Sequence, residues 1–163
     1  MPKVISTLAE AKSRVKQLLS DTNQRVILGI VGKPGAGKST LSEELLEYFG
    51  SANSVIVPMD GFHLSNLQLD KLNRRNRKGA IDTFDANGYV SLIKRIKNDQ
   101  NSELYFPIFY REIEESYAAA GVISPNHKLV ITEGNYLLNT EGEWAELRNL
   151  LTESWFVDPQ DDL

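Results

Sequence analysis

Four residues in the segment GKPGAGKST stand at a spacing suited to binding phosphate: Gly32, Gly37, Lys38 and Ser39 satisfy the pattern G-x-x-x-x-G-K-[ST]. Glycines let a backbone curl until successive N–H groups face an anion. A lysine at this offset reaches the terminal phosphates of a nucleotide, and the following hydroxyl can ligate magnesium. The whole loop, Gly32, Lys33, Pro34, Gly35, Ala36, Gly37, Lys38, Ser39 and Thr40, is therefore assigned to the phosphates of a nucleotide.

Two carboxylates follow at the ends of later apolar runs. Asp60, in PMDGFHLSN, is the candidate base that accepts the proton of an attacking hydroxyl, with Phe62 and His63 shaping the acceptor pocket. The competing reading of Asp60 is a turn cap before Gly61. Glu133, closing KLVITEG, sits where an acid holds magnesium directly or through water, or else satisfies loop amides before Gly134. The run KLNRRNRKG carries Lys71, Arg74, Arg75, Arg77 and Lys78; these guard an anionic group or face solvent, and Arg75 and Lys78 are taken forward as substrate contacts. Arg111, in FPIFYREIEES, is expected in an ordered, partly buried loop, contacting substrate or paired with Glu112, Glu114 or Glu115. His63 and His127 lack metal-ligand spacing, and Trp144 and Trp155 read as core residues.

The elements that must position these groups follow from periodicity. Leu8, Ala11, Val15, Leu18 and Leu19 recur at helical spacing up to Ser20–Asn23, giving an amphipathic N-terminal helix. RVILGIVG is a strand entering the glycine loop, and KSTLSEELLEYF resumes helical periodicity after it. SVIVPMD, KLVITEG and SWFVD read as three more buried strands. Between them DANGYVSLIKRIK begins at Asp85 as N-cap, and Thr140 with Glu143 at capping-box spacing predicts a helix start in TEGEWAELRNLL. The stretch from Gln68 to Gly79 lacks periodicity and reads as an excursion beyond the strand ends. Alternation of strand and helix implies a parallel sheet, with the loop, Asp60 and Glu133 converging at its carboxyl edge.

With 163 residues, 41% of them hydrophobic, the chain suits one packed domain, residues 1–163. A net charge of −4 supplies no global basic field for nucleic acid or an anionic membrane. The absence of cysteine excludes disulfides and thiolate chemistry, and the charged, interrupted N-terminus has neither a signal-peptide core nor a membrane span, so a cytoplasmic location is expected.

In order along the chain, GIVGKPGAGKSTL, VPMDGFHLSN, RKGAIDTFDANGY, FPIFYREIEES and LVITEGNYLL resemble the uridine kinase, pantothenate kinase and phosphoribulokinase group of P-loop kinases. The resemblance implies an α/β three-layer sandwich with a parallel sheet of order 2-3-1-4, ATP and magnesium, Asp60 as catalytic aspartate with Lys38, and Glu133 as the acid of the EG motif. It also implies Arg111 near the acceptor and Tyr136, in the same segment as Glu133, among the substrate contacts. DGFHLSN is closer to the pantothenate kinase form of its motif. Relatives continue past WFVDPQDDL with a lid helix, a fifth strand and an adenine loop, so a truncated core is expected here, its bare sheet edge available for a homo-oligomer.

Three functions are thereby in play. The first is a kinase for a small-molecule hydroxyl, a nucleoside favoured and pantothenate or a sugar next. The second is a nucleotide- or phosphate-binding domain without catalysis, and the third is a GTPase-type switch, against which stands the lack of an N-K-x-D-like segment after the fourth strand.

Overall fold

The structure, a computed structural model, describes residues 5–158. Its central strand β1 (Val26–Val31, VILGIV) is buried at every position, as a strand covered on both faces must be. Three further strands lie parallel to one another and to it: β2 (Ser54–Pro58), β5 (Leu129–Gly134) and β6 (Glu153–Phe156). The order β2-β5-β1-β6 is the expected 2-3-1-4 when the parallel strands alone are numbered. Short β6 and β2 form the two edges.

Alternation along β1 divides the core into two layers. Val26, Leu28 and Ile30 face α1 (Leu8–Ser20) and α2 (Lys38–Phe49), meeting Ala11, Val15, Leu18 and Leu45. Ile27 and Val31 face the other way, toward α4 (Ala86–Asn98), whose Tyr89, Val90, Ile93 and Ile96 are buried. Burial of each such aliphatic side chain contributes about 1.5–3 kcal/mol. Trp144 and Trp155 are both core residues, as expected.

The predicted caps divide. Asp85 caps α4, its Oδ1 accepting from Gly88 N at 3.0 Å. Thr140 and Glu143 form no capping box. Asn139 Oδ1 instead takes the Glu141 amide at 2.8 Å, and Gly142 adopts φ +58, so the chain enters a 3-10 turn (Gly142–Glu146) before the single turn α5 (Leu147–Leu150).

A larger correction concerns FPIFYREIEES, expected as a loop. It forms strand β3 (Leu104–Tyr110) and the turn leading into the antiparallel strand β4 (Glu115–Ile123). The pairing is interrupted: Phe106 opposes Gly121 and Ile108 opposes Tyr117, so Ala118–Ala120 bulge against Pro107, with Ala119 at φ +54. Proline is tolerated in a strand at such a bulge, where no ladder N–H is needed. The base of the hairpin, Leu104, Phe106 and Ile123, joins the core, and its tip reaches over the carboxyl edge of the sheet. Part of the aperiodic stretch folds as α3 (Asn66–Lys71), capped by Ser65. Among the described residues no helix is long and apolar enough to cross a membrane.

Candidate active site

Register brings the predicted groups to one place. Pro58 and Ile30 both flank Glu133 on β5, so the turn after β2, the loop after β1 and the end of β5 share one edge. There Pro34, Gly35, Lys38, Ser39, Asp60, Arg111, Glu133 and Asn135 line a cleft of about 240 Å³ together with Pro58 and Gly134.

The floor of this cleft is the glycine loop. Gly35 and Gly37 have φ +79 and +95, a conformation that disfavours any side chain, and Gly37 stands as N-cap of α2, whose free amides open toward the cleft. Lys38 folds back on its own loop, its Nζ donating to the carbonyls of Gly32 and Lys33 at 2.8 Å each. Burial pulls the Lys38 ammonium below its ordinary value, opposed by the nearby carboxylates of Glu133 and Asp60. A cation so placed gains from an incoming anion.

Glu133 ties the floor to the helix. Ser39 Oγ donates to its Oε1 at 3.2 Å and Ser42 Oγ to its Oε2 at 3.1 Å. Burial pushes the Glu133 carboxyl up, and the two hydroxyls and Lys38 hold it down. Ser42 is a member of the site that motif reasoning misses. Its position three residues after Ser39 on one helix face is the signal that could have found it.

Asp60 stands on the opposite wall, solvent-exposed, in the 3-10 turn Met59–Phe62 that leaves β2. The glycine after it is required by packing: a Cβ on Gly61 would lie 2.2 Å from the carbonyl oxygen of Pro107, so the bulged hairpin sits directly on the Asp60 turn. His63 does not line the cleft. Its ring packs against Phe84 and Phe109, centroids 4.2 and 4.5 Å away, and its Nδ1 meets the Asp60 carbonyl oxygen at 2.7 Å. Phe62 turns into the core and packs edge-on against Tyr89.

The basic run is mostly occupied elsewhere. Arg75 pairs with Asp70 at 2.9 Å, Arg77 with Asp82 at 2.5 Å, and Arg74 donates to the Asp82 carbonyl at 2.9 Å. Lys78 donates to Asn66 Oδ1 at 2.7 Å and to the Glu114 carbonyl at the hairpin tip, with its Nζ over the Phe109 ring. Tyr136 donates to the Gly79 carbonyl at 2.8 Å. Arg75, Lys78 and Tyr136 thus lie outside the residues that line the cleft; the last two fasten the loops around it. Arg111 lines the cleft from the hairpin turn. It is exposed rather than partly buried, and among the described residues its guanidinium has no ion-pair partner, the neighbouring glutamates included.

The chain is similar to several known proteins. The family model described as "Phosphoribulokinase / Uridine kinase family" matches residues 27–163. A candidate uridine kinase of Schizosaccharomyces pombe is 38% identical over 150 residues, covering 87% of this chain and 63% of that protein. Escherichia coli YggC is 32% identical over 140 residues, covering 82% of this chain and 56% of that protein. A solved structure of a candidate fructose transport system kinase from Silicibacter sp. TM1040 superposes with a TM-score of 0.84 at 34% identity, covering 93% of this chain and 74% of that one. The chain spans less than two thirds of the length of the two curated relatives.

Proposed function

Because this chain belongs to the phosphoribulokinase/uridine kinase family, we propose that it transfers the terminal phosphoryl group of ATP to a hydroxyl of a small cytosolic metabolite. A nucleoside is the favoured acceptor, with pantothenate or a sugar next. The observation that carries this reading is the cleft itself, with a phosphate-binding loop on its floor and the exposed carboxylate of Asp60 on the facing wall. A switch protein needs to orient a water, whereas a carboxylate across from the loop suits taking a proton from an acceptor hydroxyl.

In this reading the amides of the loop from Gly32 to Thr40 and the N-terminus of α2 hold the phosphates, and Lys38 leaves the Gly32 and Lys33 carbonyls for the terminal phosphates. Asp60 accepts the hydroxyl proton as the new oxygen–phosphorus bond forms and ADP departs. Ser39 and Glu133 supply two oxygen donors within 3.2 Å of each other, a set that fits magnesium, which takes one or two protein oxygens and completes its shell with phosphates and water. When bound, magnesium would neutralise charge on the phosphates. Arg111 contributes the cation on the acceptor side, by contact with the acceptor or with the transferred group.

The relatives' names differ, a uridine kinase in one and a fructose transport system kinase in another, so they do not converge on one acceptor. An acceptor panel of nucleosides, pantothenate and sugars therefore accompanies calorimetry with magnesium ATP and magnesium tripolyphosphate. Tighter binding of ATP and one phosphorylated product are expected. Equal binding with no product would replace the kinase by a phosphate-binding domain. The variant Asp60→Asn should abolish transfer while nucleotide affinity holds, and unchanged turnover would remove Asp60 as base.

A further inference from the structure

We propose that His63 is a positioning residue for Asp60, holding the catalytic turn through its Nδ1–H and fastening that turn to the hairpin tip through its ring. The inference rests on the kinase reading for its kinetic consequence and on geometry alone for the rest.

A carbonyl oxygen can only accept, so the 2.7 Å contact to the Asp60 carbonyl requires a hydrogen on Nδ1 of His63. The backbone N–H of His63 reaches the same oxygen at 3.2 Å, closing the 3-10 turn. That oxygen therefore has two donors from one residue, and the peptide plane following Asp60 is fixed from outside the cleft. The rest of the turn is held by packing, Gly61 under Pro107 and Phe62 against Tyr89, whereas the imidazole supplies a side-chain hydrogen bond to the Asp60 carbonyl itself. The ring carries the second link. It packs against Phe84 and against Phe109, two residues before Arg111, and Phe84 also bridges His63 through the backbone. Asp60 and Arg111 approach the cleft from separate segments, and the imidazole touches both supports.

Two substitutions separate the links. His63→Phe keeps the stack and removes the donor; His63→Asn places an amide N–H close to where Nδ1 stands and gives up the stack. With the acceptor found in the panel, His63→Phe should lower kcat roughly tenfold or more with the KM for ATP unchanged. His63→Asn should recover most of kcat. Equal losses in both variants, or an undiminished kcat in His63→Phe, would overturn the proposal.

Two further measurements need no turnover. Long-range proton–nitrogen correlation on the intact chain should show the Nδ1-protonated tautomer for neutral His63, and an Nε2-only proton would overturn the proposal. Amide exchange at Gly61 and Phe62 should quicken in His63→Phe but not in His63→Asn. If both results hold while no acceptor in the panel is phosphorylated, the kinase reading fails and the turn-holding role stands; if exchange is alike in both variants, the role fails whatever the enzyme does.

Discussion

The floor of the cleft rests on the central strands, whereas its acceptor-side wall hangs on a hairpin and a four-residue turn. On the floor, Lys38, Ser39, Ser42 and Glu133 bond to one another or to the loop they stand on, and β1 and β5 beneath them are buried almost throughout. On the wall, Asp60 and Arg111 are exposed, and their placement depends on contacts between loops: Gly61 under Pro107, His63 against Phe109, Lys78 on the Glu114 carbonyl. On the proposed kinase reading, the difference teaches that nucleotide recognition is local in sequence and acceptor recognition is not. In that reading, changes in the hairpin tune the acceptor without disturbing the phosphate site.

The sharpest way to break this comparison is at the floor. Lys38→Ala removes the one side-chain cation of the glycine loop that the cleft's lining includes, together with both bonds to the Gly32 and Lys33 carbonyls. Loss of a charge-stabilising donor costs about 100- to 1000-fold in rate, so kcat/KM for ATP should fall by that order while the melting temperature changes little. Calorimetry with magnesium tripolyphosphate should weaken in parallel. If tripolyphosphate binding were untouched, the loop amides alone would carry recognition and the floor would be less dependent on Lys38 than its geometry indicates.

The wall is tested by Gly61→Ala. The new Cβ would stand 2.2 Å from a backbone oxygen, which cannot swing aside as a side chain can. The hairpin or the Asp60 turn has to shift, at a cost of about 1–3 kcal/mol by the usual scale for overpacking. A denaturant titration should show that loss, the KM for the acceptor should rise, and ATP affinity should hold. Weaker ATP binding of the same size would mean that floor and wall are one cooperative unit.

The same contrast explains which parts of the molecule are legible in its amino-acid sequence. The glycine loop is nine consecutive residues with a strand before and a helix after, so short-range pattern suffices to place it. Strand order, the N-cap at Asp85 and the convergence of Asp60 with Glu133 follow from periodicity and from the family resemblance. The hairpin does not follow. Pro107 interrupts an aromatic run, and Ala118–Ala120 leave the ladder, so β3 and β4 show no clean alternation. Whether Arg75 or Arg111 faces the cleft depends on which acid lies near, and Asp70 and Asp82 are close enough in sequence to claim Arg75 and Arg77. Proximity to Asp60 in the chain points His63 toward the acceptor pocket, but its true neighbours, Phe84 and Phe109, come from segments that only tertiary packing brings together.

The smallest predicted effect concerns the floor again, as a question of stability against function. Burial pushes the Glu133 carboxyl above the ordinary glutamate value of 4.5. The folded chain then keeps this proton to a higher pH than the unfolded chain, so it binds more protons between the ordinary and the raised value, and stability falls as pH rises through that window. Above it the loss from holding a partly buried carboxylate is complete. Glu133→Gln cannot ionise and avoids that loss. Relative to the original protein, the variant should therefore gain stability as pH rises above 4.5 and level off once the original carboxyl is fully ionised. Denaturant titrations at several pH values check the trend, and a constant difference across the range would mean that Ser39, Ser42 and Lys38 offset the burial. Turnover should drop in the same variant, because the amide carries no negative charge beside Ser39. A floor that is more stable without its acid, yet less active, would identify Glu133 as a group kept for the phosphates rather than for the fold.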